Sequence, residues 1–163
     1  MALRDGATLA SFAACEEALR NDHPRYGDEE DKDDTVSDKQ AVHTENAPAA
    51  IGPYSQGVWA GSFFFSAGQI GLDPETGEMV SGGVAAEARR VFQNLEALLE
   101  AANLGLDDVV KTSVFIADMN EFGIVNEVYA EHFGTPYPAR STVEAARLPK
   151  DARVEIEVVA RRP

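Results

Sequence analysis

The chain has 163 residues, 44% of them apolar, which suits one globular domain with a modest core. Its formal net charge of −14 opposes general binding to nucleic acid and docking on anionic membranes. No apolar run approaches the roughly 18 residues of a membrane span, no basic segment leads an apolar one as in a secretory signal, and Cys15 is the single cysteine, so the expected compartment is the cytoplasm.

The first 43 residues differ from the rest. Residues 7–19, ATLASFAACEEAL, fit a short amphipathic helix with Leu9, Phe12 and Leu19 near one face. The stretch that follows, NDHPRYGDEEDKDDTVSDKQ, is acidic and nearly free of aliphatic side chains, and reads as disordered. Residues 1–44 hold 11 acids and 5 bases, a net of −6. The expected organisation is an acidic extension at 1–43 ahead of one domain at 44–163. Three readings of the extension stand open: a solubilising tail, a start assigned too early, and a functional appendage.

Residues 45–57, ENAPAAIGPYSQG, predict an extended loop rich in Pro and Gly, with Tyr54 near its end. Val58–Ala60 and Ser62–Ala67 are apolar runs split by Gly61, a hairpin signal. The second run carries Phe63, Phe64 and Phe65 in succession, so it needs cover on both faces. Residues 73–77, DPETG, are a turn. Apolar residues at three- and four-residue spacing predict a helix over 84–104, with Gly105 as its stop. A strand follows over 109–116, with Val110, Thr112, Val114 and Ile116 sharing a face. Asp118 and Glu121 have the spacing of a capping box for a second helix that runs to Phe133. His132, late in that helix, is better placed as a cation at the helix C-terminus than as a base.

Ala139–Ala146 and Arg153–Ala160 alternate as strands and read as two strands joined by a short polar turn, Leu148-Pro149-Lys150-Asp151, that breaks the pattern between them. Arg140, Thr142 and Glu144 share one face of the first. Val154, Ile156 and Val158 form an apolar face of the second, and Glu155 and Glu157 look the other way. The planar fork of Arg140 suits a carboxylate ligand, and an acid such as Glu155 can handle a water or a proton. Spacing does not choose between Glu155 and Glu157. An ordinary solvated sheet face, with both acids paired to Arg140, Arg147 or Arg153, is the competing reading. The element order is α+β: a mixed β-sheet with two helices packed on one face. Two helices cover only one side of a sheet, so the other side calls for a second copy of the chain. The three histidines lack metal-ligand spacing, and no nucleophile elbow, dinucleotide fingerprint or phosphate loop is present.

Four stretches in order then carry a resemblance: residues 45–57; SAGQIGLDPETGE at 66–78; VVKTSVFIADMNEFGIVNEVYAEHF at 109–133; and PARSTVEAARLPKDARVEIE at 138–157. Together they resemble the Rid family, the reactive-intermediate imine deaminases also called the YjgF family. The resemblance implies a chorismate mutase-like Rid fold assembled as a homotrimeric barrel, with active sites between subunits. It implies hydrolytic deamination of 2-imino acids such as 2-iminobutanoate and 2-iminopropanoate to 2-oxo acids and ammonia, with no cofactor and no metal. Arg140, Glu155 and Tyr54 would be the catalytic set. Arg140, Thr142, Ala67 and Gly68 would bind substrate. The chain departs from the bacterial archetype at Ala67, where that pattern has Ser, and at Thr142, where it has Cys. Two alternatives from other classes are an endoribonuclease or translation inhibitor, and a non-catalytic trimer that binds a small ligand.

Overall fold

The computed structural model describes residues 39–163; the amphipathic helix and acidic stretch expected ahead of them lie outside the described residues. Seven strands form one sheet: β1 (Lys39–Val42), β2 (Gly57–Ala60), β3 (Phe63–Ser66), β4 (Gln69–Ile70), β5 (Val109–Ile116), β6 (Ala139–Glu144) and β7 (Val154–Arg161). The order across it is β1-β2-β3-β7-β5-β6, with β4 continuing past β3 along the same edge of β7. Only β5 and β6 run parallel, so the sheet is mixed, as expected. The sheet begins at Lys39, inside the stretch assigned to the extension. Residues 39–42 have no strong alternation, and pairing with the backbone of Gly57–Ala60 makes them a strand.

Two helices, α1 (Gly83–Ala101) and α2 (Phe122–His132), lie on one face. The apolar stripe of α1 is fully buried at Val91, Phe92, Leu95, Leu98 and Leu99, against Val114 and Ile116 of β5 and Val154, Ile156 and Val158 of β7. Phe92 is the hub, with Tyr129 of α2 and Phe133 just past its end edge-on at 5.9 and 5.8 Å and the His132 ring stacked on it at 4.2 Å. His132 Nδ1 lies 3.2 Å from Glu96 of α1, so this histidine serves packing between the helices. Among the described residues no helix is long and apolar enough to cross a membrane.

Four local expectations are corrected. The first helix ends at Ala101, and the left-handed residue that terminates it is Asn103 (φ 58°), not Gly105; asparagine tolerates that region because its short side chain clashes least. A register shift between Val109 and Lys111 turns Val110 outward, and Val109 joins Thr112, Val114 and Ile116 on the buried face. Asp118 accepts from the Asn120 amide and so caps a short 3-10 turn, while Glu121 pairs with Arg153 instead of closing a capping box. Finally, the two strands around Leu148–Asp151 are not neighbours: β5 lies between β7 and β6.

The face away from the helices is open. Phe64 is fully buried under the helices, whereas its neighbours Phe63 and Phe65 stand 41% and 43% exposed on the other side. Val143 on β6, paired with Phe115, is 48% exposed on that face too. The run of three phenylalanines thus does face two ways, and one of those ways lacks cover among the described residues.

Candidate active site

A cleft of about 580 Å3 opens beside β4. One wall is the loop that leads into β2, with Pro48, Ile51 and Tyr54; another is the Pro149–Lys150 turn; the floor is Ala67, Gly68, Ile70 and Glu155. Tyr54, Ala67, Gly68 and Glu155 therefore line one cleft. The Tyr54 ring is 53% exposed, and its hydroxyl accepts from the Ile51 amide at 3.1 Å, which fixes the ring at the mouth.

Gly68 is demanded by geometry. A Cβ there would lie 1.8 Å from Glu155 Oε1 and 2.7 Å from its Cδ, so the carboxylate occupies the place of the missing side chain. Glu157 does not line the cleft, which separates two acids that spacing could not. Burial pushes the Glu155 carboxyl above its usual range, and the negative charge of Glu157 two residues along the same face adds to that. The ion pairs expected of a plain salt-bridged sheet go elsewhere: Arg147 pairs with Asp151 and Arg153 with Glu121. A carboxylate held in an apolar cleft with a raised pKa is equipped to exchange protons.

Several residues that build this cleft gave no warning in the sequence. Gln56, only 3% exposed, donates to the carbonyls of Ala47 (3.1 Å) and Pro48 (2.9 Å) and exchanges bonds with both backbone groups of Thr44. That one amide staples the loop carrying Tyr54. Asn94 of α1 donates to the carbonyls of Ile70 (3.1 Å) and Leu72 (3.0 Å), and Glu87 accepts from the Arg153 amide at 2.8 Å. The two α1 side chains hold β4 and the start of β7 from behind. Ser66 Oγ accepts from the Val158 amide at 2.9 Å, so it repairs the ladder where β3 gives way to β4 and is not a stand-in for the missing serine at Ala67.

Arg140 and Thr142 lie elsewhere. Their register partners on β5 are Thr112 and Val114, which face the helices, so Arg140 and Thr142 face the helices too. Glu155 alternates with the buried Val154 and Ile156 and faces the opposite side. Arg140 Cζ sits 4.5 Å from the ring centroid of Tyr129 and 5.6 Å from that of Phe122, both on α2. It borders a second hollow of about 390 Å3 with Asn126, Tyr137 and Pro138. Within one chain the guanidinium and the carboxylate do not share a cleft.

Fold and cleft together define a small α+β protein in which Glu155 and Arg140 line separate hollows on opposite faces of one sheet. Residues 44–162 match the Endoribonuclease L-PSP family, and the chain belongs to this family, also known as the Rid or YjgF family. It is 52% identical over 125 residues to the 2-iminobutanoate/2-iminopropanoate deaminase of Escherichia coli K12, covering 74% of this chain and 96% of that protein. It is 47% identical over 122 residues to the human protein of the same name, covering 75% and 90%. A RutC family protein of Pyrococcus horikoshii is 54% identical over 122 residues, covering 75% and 97%. The solved structure of the Escherichia coli YjgF gene product is similar with a TM-score of 0.71 at 51% identity, over 76% of this chain and 99% of that one.

The raised pKa of Glu155 has a consequence for stability. A group whose folded pKa exceeds its unfolded value adds stability that is complete below the unfolded pKa and is lost as pH rises through the folded one. Ionising Glu155 is therefore a cost to the fold. Glu155→Gln is expected to melt at a higher temperature than the parent near pH 7, with the gap closing as the pH falls below about 4.3, the ordinary glutamate value. Thermal melts of both proteins across pH 3.5–8 check this; equal melting temperatures at every pH would contradict it.

Proposed function

We propose that this protein is a 2-imino acid deaminase that works without a cofactor as a homotrimer, each active site shared between two subunits. The observation that carries the reading is the Glu155 carboxylate seated over Gly68 in an apolar cleft walled by Tyr54. The names of relatives at about 50% identity support the same chemistry. A composite site reconciles the opposite facings of Arg140 and Glu155, because a neighbouring copy brings its own Arg140 to this cleft. The open face with Phe63, Phe65 and Val143 gives that copy apolar surface to cover.

The reaction is hydrolysis of a C=N bond. Arg140 of one subunit holds the substrate carboxylate through two parallel N–H donors, and Thr142 lies two residues along on the same face. Glu155 of the other subunit removes a proton from water as the oxygen attacks C2 of the imine. The same carboxyl returns a proton to the nitrogen. Starting from the protonated imine, the nitrogen is then an ammonium. The Glu155 carboxylate takes the remaining hydroxyl proton as the C–N bond breaks, the nitrogen leaves as ammonia with the bond's electron pair, and Glu155 passes its proton to solvent to leave the 2-oxo acid. An iminium is electrophilic enough that orientation beside a water supplies most of the acceleration. Tyr54 closes the mouth, and Ala67 leaves the floor apolar. The family description also names an endoribonuclease; a chain with a net charge of −14 has little with which to neutralise RNA phosphates.

Freshly generated 2-iminobutanoate should release ammonia faster with the protein than without it, while the same preparation leaves RNA intact. Arg140→Ala should lower kcat/KM by well over tenfold, since a lost desolvated carboxylate contact costs about 2–5 kcal/mol. Gly68→Ala should fold and assemble yet lose turnover, because Glu155 is the flexible group that must move away. Unchanged hydrolysis by Arg140→Ala, or RNA cleavage that follows the protein through purification, would overturn the assignment.

A further inference from the structure

Arg140 is an exposed residue on an edge strand, where a long side chain is ordinarily free to roam. Here it is placed by three residues from two elements. Thr112 is its register partner on β5 and is fully buried. The Thr112 hydroxyl lies 3.0 Å from that of Tyr129, a bond between two buried groups that pins the phenol of α2 above the strand. Tyr129 is 5% exposed, and the ring it presents carries the Arg140 guanidinium at 4.5 Å, with Phe122 at 5.6 Å on the flank. A ring face attracts the cation without taking its donors, because the guanidinium N–H groups point outward in the plane of the fork. Among the described residues no carboxylate pairs with Arg140. The acids nearest in sequence are engaged: Glu144 accepts from the Met119 amide, Glu131 pairs with Arg89 and Asp151 with Arg147.

We propose that the Thr112–Tyr129 pair is a positioning device that presents Arg140 to an anionic ligand with its donors unspent, so that Tyr129 sets the affinity for the substrate carboxylate. This rests on the deaminase reading for the identity of the carboxylate and on geometry alone for the role of the ring. Stacking on Tyr129 leaves the guanidinium less mobile than a solvated arginine, and less of its entropy is lost when a ligand docks. The ring takes no part in the chemical step. Its removal therefore acts on KM and leaves kcat in place.

The test uses the full chain and 2-oxobutanoate, the product of the proposed reaction, as a stable carboxylate probe. Tyr129→Leu and Tyr129→Met should each weaken 2-oxobutanoate binding in calorimetry about tenfold, between the sizes of an exposed and a desolvated cation–π contact. Both should raise KM for 2-iminobutanoate in step, with kcat within about twofold of the parent. Tyr129→Phe keeps the ring but loses the Thr112 bond that pins it, and should weaken binding by about threefold, less than the Leu variant and more than nothing. In an Arg140→Ala background, Tyr129→Leu should cause no further loss, whereas a merely structural role would cost the same in both backgrounds. The ring-current shift of the Arg140 Nε–H resonance should vanish in Tyr129→Leu and persist in Tyr129→Phe. Parental affinity in the folded Leu or Met variant, equal losses in the two backgrounds, or a parent that does not bind 2-oxobutanoate would overturn the proposal. A parent that binds 2-oxobutanoate in a Tyr129-dependent way but does not hydrolyse the imine sinks the deaminase reading and leaves this one standing.

Discussion

Residues opposite one another in a sheet share a face, and that constraint separates Arg140 from Glu155. Arg140 pairs with Thr112, whose side chain is buried under α2, while Glu155 alternates with Val154 and Ile156 and faces away from the helices. No rotamer carries either group through the sheet. The strand between them, β5, is packed on the helix face at Thr112, Val114 and Ile116, and a slip of one residue would expose all three. On the deaminase reading proposed above, a site that joins this cation to this carboxylate takes them from two copies of the chain, and the apolar face at Phe63, Phe65 and Val143 is the surface proposed for that contact.

Each half of the site is supported from behind. Glu155 lies over a glycine because any Cβ at residue 68 would meet it. Asn94 and Glu87 reach out of α1 to hold the carbonyls of β4 and the first amide of β7, and Gln56 ties down the loop that carries Tyr54. Gly71 belongs to the same arrangement, since a Cβ there would sit 2.9 Å from the Cα of Glu87 and push helix and strand apart. The other half is built from aromatic faces: Tyr129 and Phe122 bracket Arg140, and the core ring Phe92 backs Tyr129 at 5.9 Å. One hydrophobic core therefore fixes both halves, and packing in that core is felt at each.

Much of this was legible in the sequence where one periodicity dominates. The stripe of α1 and the alternation of β7 predict their buried faces correctly because burial on one side is all that decides them. The hairpin at Gly61 was visible in the same way, with that glycine at φ 58°. What stayed hidden depends on partners distant in the chain. The bulge at Val110 is set by the register against β7, and the strand character of residues 39–42 by the edge of β2. The adjacency of β6 and β7 in sequence suggested adjacency in space, yet β5 lies between them, because a parallel pairing with β6 is reached through α2. Gln56 and Asn94 read as ordinary polar residues; only their burial, at 3% and 1%, marks them as staples.

The central claim is that one active cleft takes its arginine and its glutamate from different subunits. Subunit exchange tests it directly. Arg140→Ala and Glu155→Gln, each inactive alone, are mixed at equal concentration, dissociated and reassembled, and assayed for ammonia release from 2-iminobutanoate. A shared site predicts recovery to about one quarter of parental turnover, the fraction of clefts that receive both intact residues on random exchange. A mixture as inactive as its components, with exchange verified by differently tagged subunits, would contradict it.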